Sequence, residues 1–593
     1  MALSWKISGE AGFGITTIGL TFAKMLARHG LQVWTYAEYP SLIRGGFTTC
    51  EITIDEVPNR ALKPNLDMLI CLMQDGFDRD AHRVTQNTIV IYDKDVVSLP
   101  VDTKGIHIPV PYKDIKLRNK APQVMVNTVS IGVTMAIFGK NLDSFDSMVA
   151  EEFSRKGDEV VEFNKKLAKE GWDYAVSYIN ENRLSEKISS LINTNLKELD
   201  KKTYDAKASD NMVLTGNDAF TLGSMLAGIK AYLAYPMSPA STVLSTLAAW
   251  AKKNDIVVRH TEDEIAAINE ALGFSYAGVR TSVGTSGGGF ALMVEAISYA
   301  GVAELPIVMY LVQRPGPATG LPTWTGQGDL LFTVHAGHGE FMKIVLAAGD
   351  YEEMLEIASD SYNIADVLQT PVIVMADKLL GESYASVSKK WFDELSKKYK
   401  KDRGQVVEKT SQAPYLRYKD SPDGISEYLI PGLQKGVFWQ ANSYEHFEDS
   451  HTTEDAGETI KQVNKRAKKV DTYLKSKYYK LPKIYGDIEK SDVTIVSYGS
   501  NKSAILAAID TLTKMGKSVS YVHFTHLYPL DIEKVQEILS KAKKLIFVEN
   551  GSKGQLPMLL GQEGILKSKY EKLLKFDGRP ILQEEIVSFI SNL

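Results

Sequence analysis

The sequence has little cysteine and no long apolar run. Cys50 and Cys71 are the two cysteines among 593 residues, so the chain cannot supply the four ligands of a cysteine-held iron–sulfur cluster or zinc site. Apolar neighbours predict that both are small buried fillers. The sequence contains no run of about 20 apolar residues, as a membrane span would need. Met1 is not followed by the apolar core of a signal peptide. We therefore expect a cytoplasmic protein that contacts no membrane and supplies no metal ligands.

A strong excess of one charge is also missing. The chain carries 68 basic and 73 acidic residues, a net charge of -5, so nothing predicts binding to nucleic acid or to an anionic surface. Hydrophobic residues make up 44% and charged residues 24% of the chain, as in folded globular proteins. A chain of 593 residues is too long for one core, which predicts several domains.

Alternating strands and helices predict an α/β fold with several doubly wound domains. In the first region a strand (Leu3–Ser8), a helix (Thr16–His29) and a second strand (Gln32–Ala37) indicate a parallel sheet. Two later helices are expected over Gln123–Gly139 and Phe145–Ala168. The predicted division is an α/β domain at 1–185, a polar linker at 186–210, an α/β domain at 211–380, a connecting region of long charged helices at 381–491 and an α/β domain at 492–593.

A glycine cluster, Gly9-Glu-Ala-Gly12-Phe-Gly14, follows the first strand. Such a turn can present backbone N–H groups and a helix dipole to a phosphate. Its spacing is not that of the dinucleotide fingerprint, although Glu38 ends the next strand, where a dinucleotide fold places a ribose-binding acid. A structural turn, a phosphate-bearing ligand and NAD therefore stay open as interpretations. Arg44-Gly45-Gly46 is a second glycine turn, beside a cation.

Four further motifs lie in the second region, each at a predicted strand end or helix start. Each has a purely structural reading as a rigid turn, a favourably charged helix start or a surface loop. Each also has a functional reading. Hydroxyl groups, a partly buried acid and the fork-shaped guanidinium of an arginine can bind a ligand, and glycines let the backbone come close to one. They are Ala234-Tyr-Pro-Met-Ser-Pro-Ala-Ser-Thr242, Thr261-Glu-Asp-Glu264, Gly284-Thr-Ser-Gly-Gly-Gly289-Phe and Gln313-Arg-Pro-Gly-Pro-Ala-Thr-Gly-Leu-Pro-Thr323.

In this order the motifs resemble the α subunit of the 2-oxoacid:ferredoxin oxidoreductases, which use thiamine diphosphate. Tyr444–Asp455 and Glu549-Asn550 with Gly554-Gln-Leu556 are similar to two later motifs of that family. The first region resembles the γ domain, which some members carry ahead of α. Three domain types are thus implied: γ-like, thiamine-pyrimidine-binding and transketolase C-terminal-like. Met237, Ser238 and Gly288 depart from the residues usual in the family, which bears on the substrate range.

The resemblance implies that a 2-oxo acid, CoA and oxidised ferredoxin give acyl-CoA, CO₂ and reduced ferredoxin. It implies that Glu264, which directly precedes Ile265-Ala-Ala, bonds N1′ of the cofactor's aminopyrimidine ring and acts as the catalytic carboxylate. The residues expected at the site are Tyr235, Pro236, Glu264, Gly287 and Gly289 for the cofactor, Ser238, Arg314, Thr319 and Thr323 for the substrate, and Gly12, Gly14 and Arg44 for CoA.

A motif that is missing from the chain points to a partner. The chain has no G-D-G followed by a downstream Asn and no C-x-x-C, and in the family these belong to the β subunit. The resemblance therefore implies a β subunit that holds the diphosphate, Mg²⁺ and a 4Fe-4S cluster, an αβ or (αβ)₂ assembly, and ferredoxin as electron acceptor. 2-Oxoglutarate is the favoured substrate, with pyruvate, branched-chain or aryl 2-oxo acids as alternatives. A non-catalytic scaffold subunit and a nicotinamide dehydrogenase are the alternatives of other classes.

Overall fold

The structure, a computed structural model, describes residues 2–41, 45–192, 210–567 and 569–593. Within residues 2–192 the elements are β1 (Leu3–Glu10), α1 (Ile15–Arg28), β2 (Gln32–Glu38), β3 (Phe47–Asp55), β4 (Met68–Cys71), α2 (Gln74–Asp80), β5 (Ile89–Asp93), β6 (Ile106–Val110), α3 (Tyr112–Asn119), α4 (Gln123–Val126), α5 (Thr128–Ile137), α6 (Asp143–Phe153), α7 (Asp158–Glu181) and α8 (Ser185–Ile192).

Residues 210–382 continue the alternation of strands and helices. The elements are β7 (Asn211–Thr215), α9 (Gly216–Ala227), β8 (Ala231–Ala234), α10 (Ser241–Asn254), β9 (Val257–His260), α11 (Glu264–Tyr276), β10 (Thr281–Thr285), α12 (Gly287–Val302), β11 (Ile307–Gln313), α13 (Leu330–Val334), β12 (Ile344–Ala347), α14 (Tyr351–Leu368), β13 (Pro371–Asp377) and α15 (Lys378–Glu382).

Residues 383–593 hold the remaining elements. They are β14 (Tyr384–Ser388), α16 (Lys389–Lys398), β15 (Val406–Val407), β16 (Tyr428–Leu429), α17 (Ala456–Lys475), β17 (Lys483–Tyr485), β18 (Val493–Tyr498), α18 (Lys502–Lys514), β19 (Val519–Phe524), β20 (His526–Tyr528), α19 (Ile532–Ser540), β21 (Leu545–Glu549), α20 (Gln555–Gln562), β22 (Tyr570–Leu574) and α21 (Gln583–Ser591). None of the helices in the described residues is long and apolar enough to cross a membrane.

The chain forms two compact units, and the predicted α/β class with several domains is confirmed. One unit comprises Met1–Leu214, Ser383–Asp393 and Leu582–Glu584, and the other comprises Thr215–Glu382, Glu394–Ile581 and Glu585–Leu593. The five-part division expected from the sequence stays a prediction. Of its linker, residues 193–209 lie outside the described residues, and Ser185–Ile192 is helical.

The sheet of the first unit is mixed, so the parallel sheet predicted for this region is wrong. Its strand order is β6-β5-β4-β1-β3-β2-β14-β7. The strands from β6 to β1 are parallel, but β3 is antiparallel to both of its neighbours, β1 and β2. The pairing of Leu3 with Ile54 through Glu10 with Phe47 sets the register. Cys50 and Cys71 are buried in this unit, as predicted.

Two helix predictions for the first unit are also corrected. Gln123–Gly139 is not one helix but two, α4 and α5, separated at Asn127. Phe145–Ala168 is divided between α6 and α7, because Gly157 between them adopts a φ of 95°, which an α-helix cannot contain. The predicted long charged helices of 381–491 are limited to α16 and α17. The rest of that region is mainly irregular, and β14 pairs with β2 in the first sheet.

The second unit contains a seven-stranded and a five-stranded sheet. The first has the order β20-β12-β13-β11-β10-β8-β9 and is parallel except at β20. The pairing of Ile307 with Pro371 through Gln313 with Asp377 sets its central register. The second has the order β17-β19-β18-β21-β22 and is parallel except at β17. Buried side chains of both sheets belong to one apolar core, which includes Val345, Met375, Val496 and Phe547.

Candidate active site

Four loops converge on one edge of the seven-stranded sheet. Strands β8, β9, β10 and β11 run parallel, so their carboxyl ends lie at the same edge. The segments that follow them are 235–240, 261–263, Ser286 and 314–329. The carboxyl edge of a parallel sheet is the usual position of ligand sites in α/β folds. Motifs that are far apart in the sequence therefore meet in one place.

Glu264 is a buried acid at the start of a helix. It is the first residue of α11, and the preceding residue, Asp263, caps this helix by accepting a hydrogen bond from the Ala266 N–H at 2.7 Å. The Glu264 side chain is thus not needed as the cap. Glu264 is only 3% exposed, and its Oε1 atom has no hydrogen-bond partner among the described residues. Burial raises the pKa of the Glu264 carboxyl. A buried acceptor atom that receives no hydrogen bond lowers the stability of the fold, so this atom is a candidate contact for a ligand.

Glycines at the start of α12 make room for two carboxylates. A Cβ atom on Gly289 would lie 2.5 Å from Oε1 of Glu264 and closer still to Oγ1 of Thr285. A Cβ atom on Gly287 would lie 2.7 Å from Oδ2 of Asp329. Both distances are below those that carbon contacts allow, so a side chain at either position would force the neighbouring carboxylate to shift. A Cβ atom on Gly288, between them, would have no described atom within 4 Å beyond its own helix turn.

The loop after β8 presents exposed groups on a fixed backbone. Tyr235 and Pro236 are exposed, and the Tyr235 ring meets the ring of His260 edge-on at 6.0 Å. Behind them, the Asn217 side chain donates hydrogen bonds to the Pro239 carbonyl at 2.8 Å and to the Thr242 hydroxyl at 2.7 Å. The Asn217 side chain therefore fixes the end of the loop near Pro239, while Tyr235 and Pro236 stay exposed.

Arg314 and Ser238, both predicted at a substrate site, are brought together. The Arg314 guanidinium donates from Nη1 to the backbone carbonyl of Ser238 at 2.7 Å. Its guanidinium donates no other hydrogen bond within the described ranges. Burial raises the pKa of the nearby Asp329 carboxyl to about 6, and the positive charge of Arg314 opposes that rise. The Arg314 cation and the Asp329 carboxyl, whose pKa is raised, therefore lie at the same edge of the sheet.

The two predicted threonines are in different environments. Thr319 is exposed on the loop after β11. Thr323 is buried, and its hydroxyl has no hydrogen-bond partner in the described part of the chain. No hydrogen bond between described residues joins either threonine to Glu264 or to Arg314. Of the residues predicted for the cofactor and the substrate, the contacts thus group Glu264 with Gly289 and Arg314 with Ser238.

Asp329 and Thr285 were not predicted as site residues. Both contact the glycine turn at the start of α12, and the Asp329 backbone N–H donates to Oε1 of Gln313 at 3.0 Å. A signal for Asp329 is present in the sequence, because this acid separates Gly326-Gln-Gly328 from the apolar helix α13. For Thr285 the only signal is its place inside the glycine cluster.

The N-terminal glycine turn lines a separate cavity of about 360 Å³ in the first unit. Gly12 and Gly14 adopt φ angles of 95° and 76°, and the cavity wall also includes Thr16 and Thr48. Arg44 lies outside the described residues. Because β3 lies between β1 and β2, the strand that carries Glu38 is not the neighbour of β1, in contrast to a dinucleotide-binding fold.

Three family models match the chain in succession. Residues 4–174 match "Pyruvate ferredoxin/flavodoxin oxidoreductase". Residues 222–465 match "Pyruvate flavodoxin/ferredoxin oxidoreductase, thiamine diP-bdg", and residues 484–555 match "Transketolase, C-terminal domain". The second of these contains all four loops of the sheet edge described above.

Relatives and a solved structure that span nearly all of the chain are among the similar proteins. The 2-oxoacid:ferredoxin oxidoreductase subunit alpha of Sulfolobus sp. is 31% identical, across 99% of this chain and 96% of the relative. The 2-oxoglutarate synthase subunit KorA of Methanothermobacter thermautotrophicus is 26% identical, across 64% of this chain and 98% of the relative. A solved 2-oxoglutarate:ferredoxin oxidoreductase from Magnetococcus marinus, with 2-oxoglutarate, coenzyme A and succinyl-CoA bound, has a TM-score of 0.85 and 27% identity, across 100% of this chain and 99% of that one.

Proposed function

We propose that this chain, which belongs to the 2-oxoacid:ferredoxin oxidoreductase family as an α subunit, supplies one half of an active site that oxidatively decarboxylates a 2-oxo acid to its acyl-CoA. The favoured substrate is 2-oxoglutarate. The observation that carries the proposal is the buried carboxylate of Glu264, whose Oε1 atom has no partner among the described residues and faces Gly289.

The residues around Glu264 fit thiamine diphosphate. A buried carboxylate with an open acceptor suits a ring nitrogen that carries a proton, and Gly289 leaves the space that this carboxylate occupies. Glu264 would hold the aminopyrimidine ring at N1′, with Tyr235, Pro236 and the turn at Gly287 beside it. When bound, this cofactor supplies the reactive carbon and the electron sink for decarboxylation. Glu264 would hold the proton at N1′, and burial raises the pKa of its carboxyl, which favours the protonated form more than water does.

Arg314 supports a substrate with a second carboxylate. Its guanidinium is fixed by the bond to the Ser238 carbonyl, and no other described group takes its remaining donors. We propose that these donors bind the distal carboxylate of 2-oxoglutarate, with Ser238, Thr319 and Thr323 along the substrate. The names of the Methanothermobacter and Magnetococcus proteins support this choice. Pyruvate, branched-chain and aryl 2-oxo acids are the alternatives.

The other half of the site is proposed to belong to a β subunit. That subunit would hold the diphosphate, Mg²⁺ and a 4Fe-4S cluster, and ferredoxin would receive the electrons from an αβ or (αβ)₂ assembly in the cytoplasm. We propose that CoA binds at the N-terminal cavity lined by Gly12 and Gly14, with Arg44 contributing a cation. Its support is the pair of left-handed glycines at a strand-to-helix turn, where backbone groups can approach a phosphate.

Glu264→Gln in the complex with the partner subunit tests the proposal. Turnover with a viologen dye should fall about 10²- to 10⁴-fold, the usual size of a general acid–base contribution. Glu262→Gln is the matched control, because Glu262 lies two residues away and is exposed. Near-normal turnover of Glu264→Gln in an intact complex would instead support a scaffold subunit without a catalytic role.

A further inference from the structure

The substrate loop, residues 314–329, is exposed at one end and held at the other. Residues 316–321 are exposed, and within this part the Leu321 N–H donates to the Pro315 carbonyl at 2.9 Å. From Trp324 onward the contacts change. Many of the partners there belong to the C-terminal segment, residues 492–581 of the same compact unit, which is far from the loop in the sequence.

Gln327 makes the densest set of these contacts. It is completely buried, and its backbone N–H donates to the Asn550 carbonyl at 2.6 Å. Its side-chain Nε2 donates to the Tyr498 carbonyl at 3.2 Å. Its Oε1 accepts from Asn501 Nδ2 at 2.7 Å and from the Asn550 N–H at 2.9 Å. Both ends of the amide are therefore satisfied, which is what a buried amide needs to be stable.

The backbone of the C-terminal segment is shaped around this amide. Gly499 has a φ of 69°, and a Cβ atom there would lie 2.6 Å from Nε2 of Gln327. A Cβ atom on Gly551 would lie 3.1 Å from the Gln327 carbonyl oxygen. Two glycines of the segment thus permit the close approach of one loop residue.

Three more contacts fasten the same end of the loop. The Thr325 N–H donates to the Gly578 carbonyl at 3.0 Å. The Arg579 guanidinium lies 4.1 Å from the centre of the Trp324 ring. Gln555 Nε2 donates to the Gly328 carbonyl at 2.6 Å. Together with Gln327, they fix the backbone between Thr323 and Asp329.

We propose that Gln327 is a positioning residue through which the C-terminal segment sets the geometry of the substrate loop. This inference rests on the proposed function, because it assumes that Arg314 and Thr323 contact the 2-oxo acid. Gln327 itself touches no substrate. Its amide fixes the loop backbone between Thr323 and Asp329, so that this end of the loop does not have to be ordered when the substrate binds.

The experiment uses the full chain in complex with its partner subunit. Gln327→Met removes both ends of the amide. Gln327→Glu keeps the acceptor for Asn501 but loses the Nε2 donor, and it adds a charge near Asp377, whose carboxylate lies 3.4 Å from Nε2. Gln462→Met is the matched control, because Gln462 is equally buried but bonds to the Tyr418 carbonyl, outside the loop.

We expect both Gln327 variants to raise KM for 2-oxoglutarate about tenfold, because binding must then order the loop at a cost of about one hydrogen bond, while kcat changes less than about threefold. Hydrogen exchange of the Thr325, Gln327 and Asp329 amides should become faster in both variants. Gln462→Met should change neither quantity. If Gln327→Met does not fold, Gln327→Glu carries the test.

Two results would overturn the inference: faster exchange in the loop with an unchanged KM, or the same rise of KM in Gln462→Met. Failure of the proposed function is recognised separately. In that case Glu264→Gln keeps its turnover, whereas the comparison of KM and loop exchange between Gln327 and Gln462 variants still decides the positioning role.

Discussion

Adding one methyl group to Gly289 should disable the Glu264 carboxylate without removing it. An alanine Cβ at this position would lie 2.5 Å from Oε1 of Glu264, whereas an ordinary contact is 3.4 Å or more. The carboxylate must therefore move by about 0.9 Å, and the Thr285 hydroxyl, which would lie closer still to the new Cβ, must move as well. A misplacement of about 1 Å near reacting groups can cost about 100-fold in rate, so we expect turnover of the Gly289→Ala complex to fall by about that factor.

Gly288→Ala is the control for this experiment. Gly288 is the neighbouring glycine of the same helix turn, and a Cβ atom there would have no described atom within 4 Å beyond that turn. Replacing a helical glycine by alanine should raise the free energy of unfolding by about 0.5–1 kcal/mol and leave turnover unchanged. The assay is viologen reduction by the complex, with thermal unfolding measured in parallel. Normal turnover in Gly289→Ala, or equal losses in both variants, would refute the steric argument.

Other expected outcomes concern charge and thiol chemistry. Burial raises the pKa of the Glu264 carboxyl in the folded chain. The charged carboxylate therefore lowers the stability of the fold at a pH above that pKa, and this cost is absent below the pKa of glutamate in the unfolded chain, about 4.3. Glu264→Gln should raise Tm at pH 8, and the increase should vanish near pH 4. Arg314→Met should lower kcat/KM about ten- to hundredfold for 2-oxoglutarate but much less for pyruvate, and equal losses would show that Arg314 does not read the distal carboxylate. Burial raises the pKa of Cys50 to about 12 and also raises that of Cys71, so iodoacetamide should label neither thiol at pH 8 until urea unfolds the chain, and labelling of the native chain would contradict their burial.

Strands with continuous apolar character could be located from the sequence, and polar buried strands could not. The apolar runs Pro306–Leu311 and Pro371–Met375 predict two strands, and the structure has strands at Ile307–Gln313 and Pro371–Asp377, at the centre of a parallel sheet. Strand β3 alternates polar and apolar residues, a pattern that predicts a strand with one exposed face, whereas Thr48 to Ile54 are all buried. Glu51 on this strand is buried only because Arg83 binds its carboxylate, at 2.6 and 2.7 Å, and Lys6 lies 3.7 Å away. Such ion pairing depends on residues far along the chain and leaves no local pattern.

Part of the candidate site could likewise be predicted from the sequence, and part could not. Its motifs mark the ends of parallel strands, and strand topology alone brings these ends to one edge. The resemblance selected Glu264, and the structure adds that the carboxylate is buried against Gly289 while Glu262 is exposed. The role of Gln327 could not be predicted, because its partners Tyr498 and Asn550 follow it by more than 150 residues and contact it mainly through their backbone groups.

The place of β14 in the first sheet has a consequence for biosynthesis. β14 lies between β2 and β7, although β2 ends at Glu38 and β14 begins only at Tyr384. At translation rates of about 5–20 residues per second, the edge of β2 waits roughly 20–70 seconds for its partner. An open strand edge is a template for pairing with other chains. A ribosome-bound chain that stops before residue 384 therefore exposes this edge, and the edge stays open to pairing with other chains until β14 emerges.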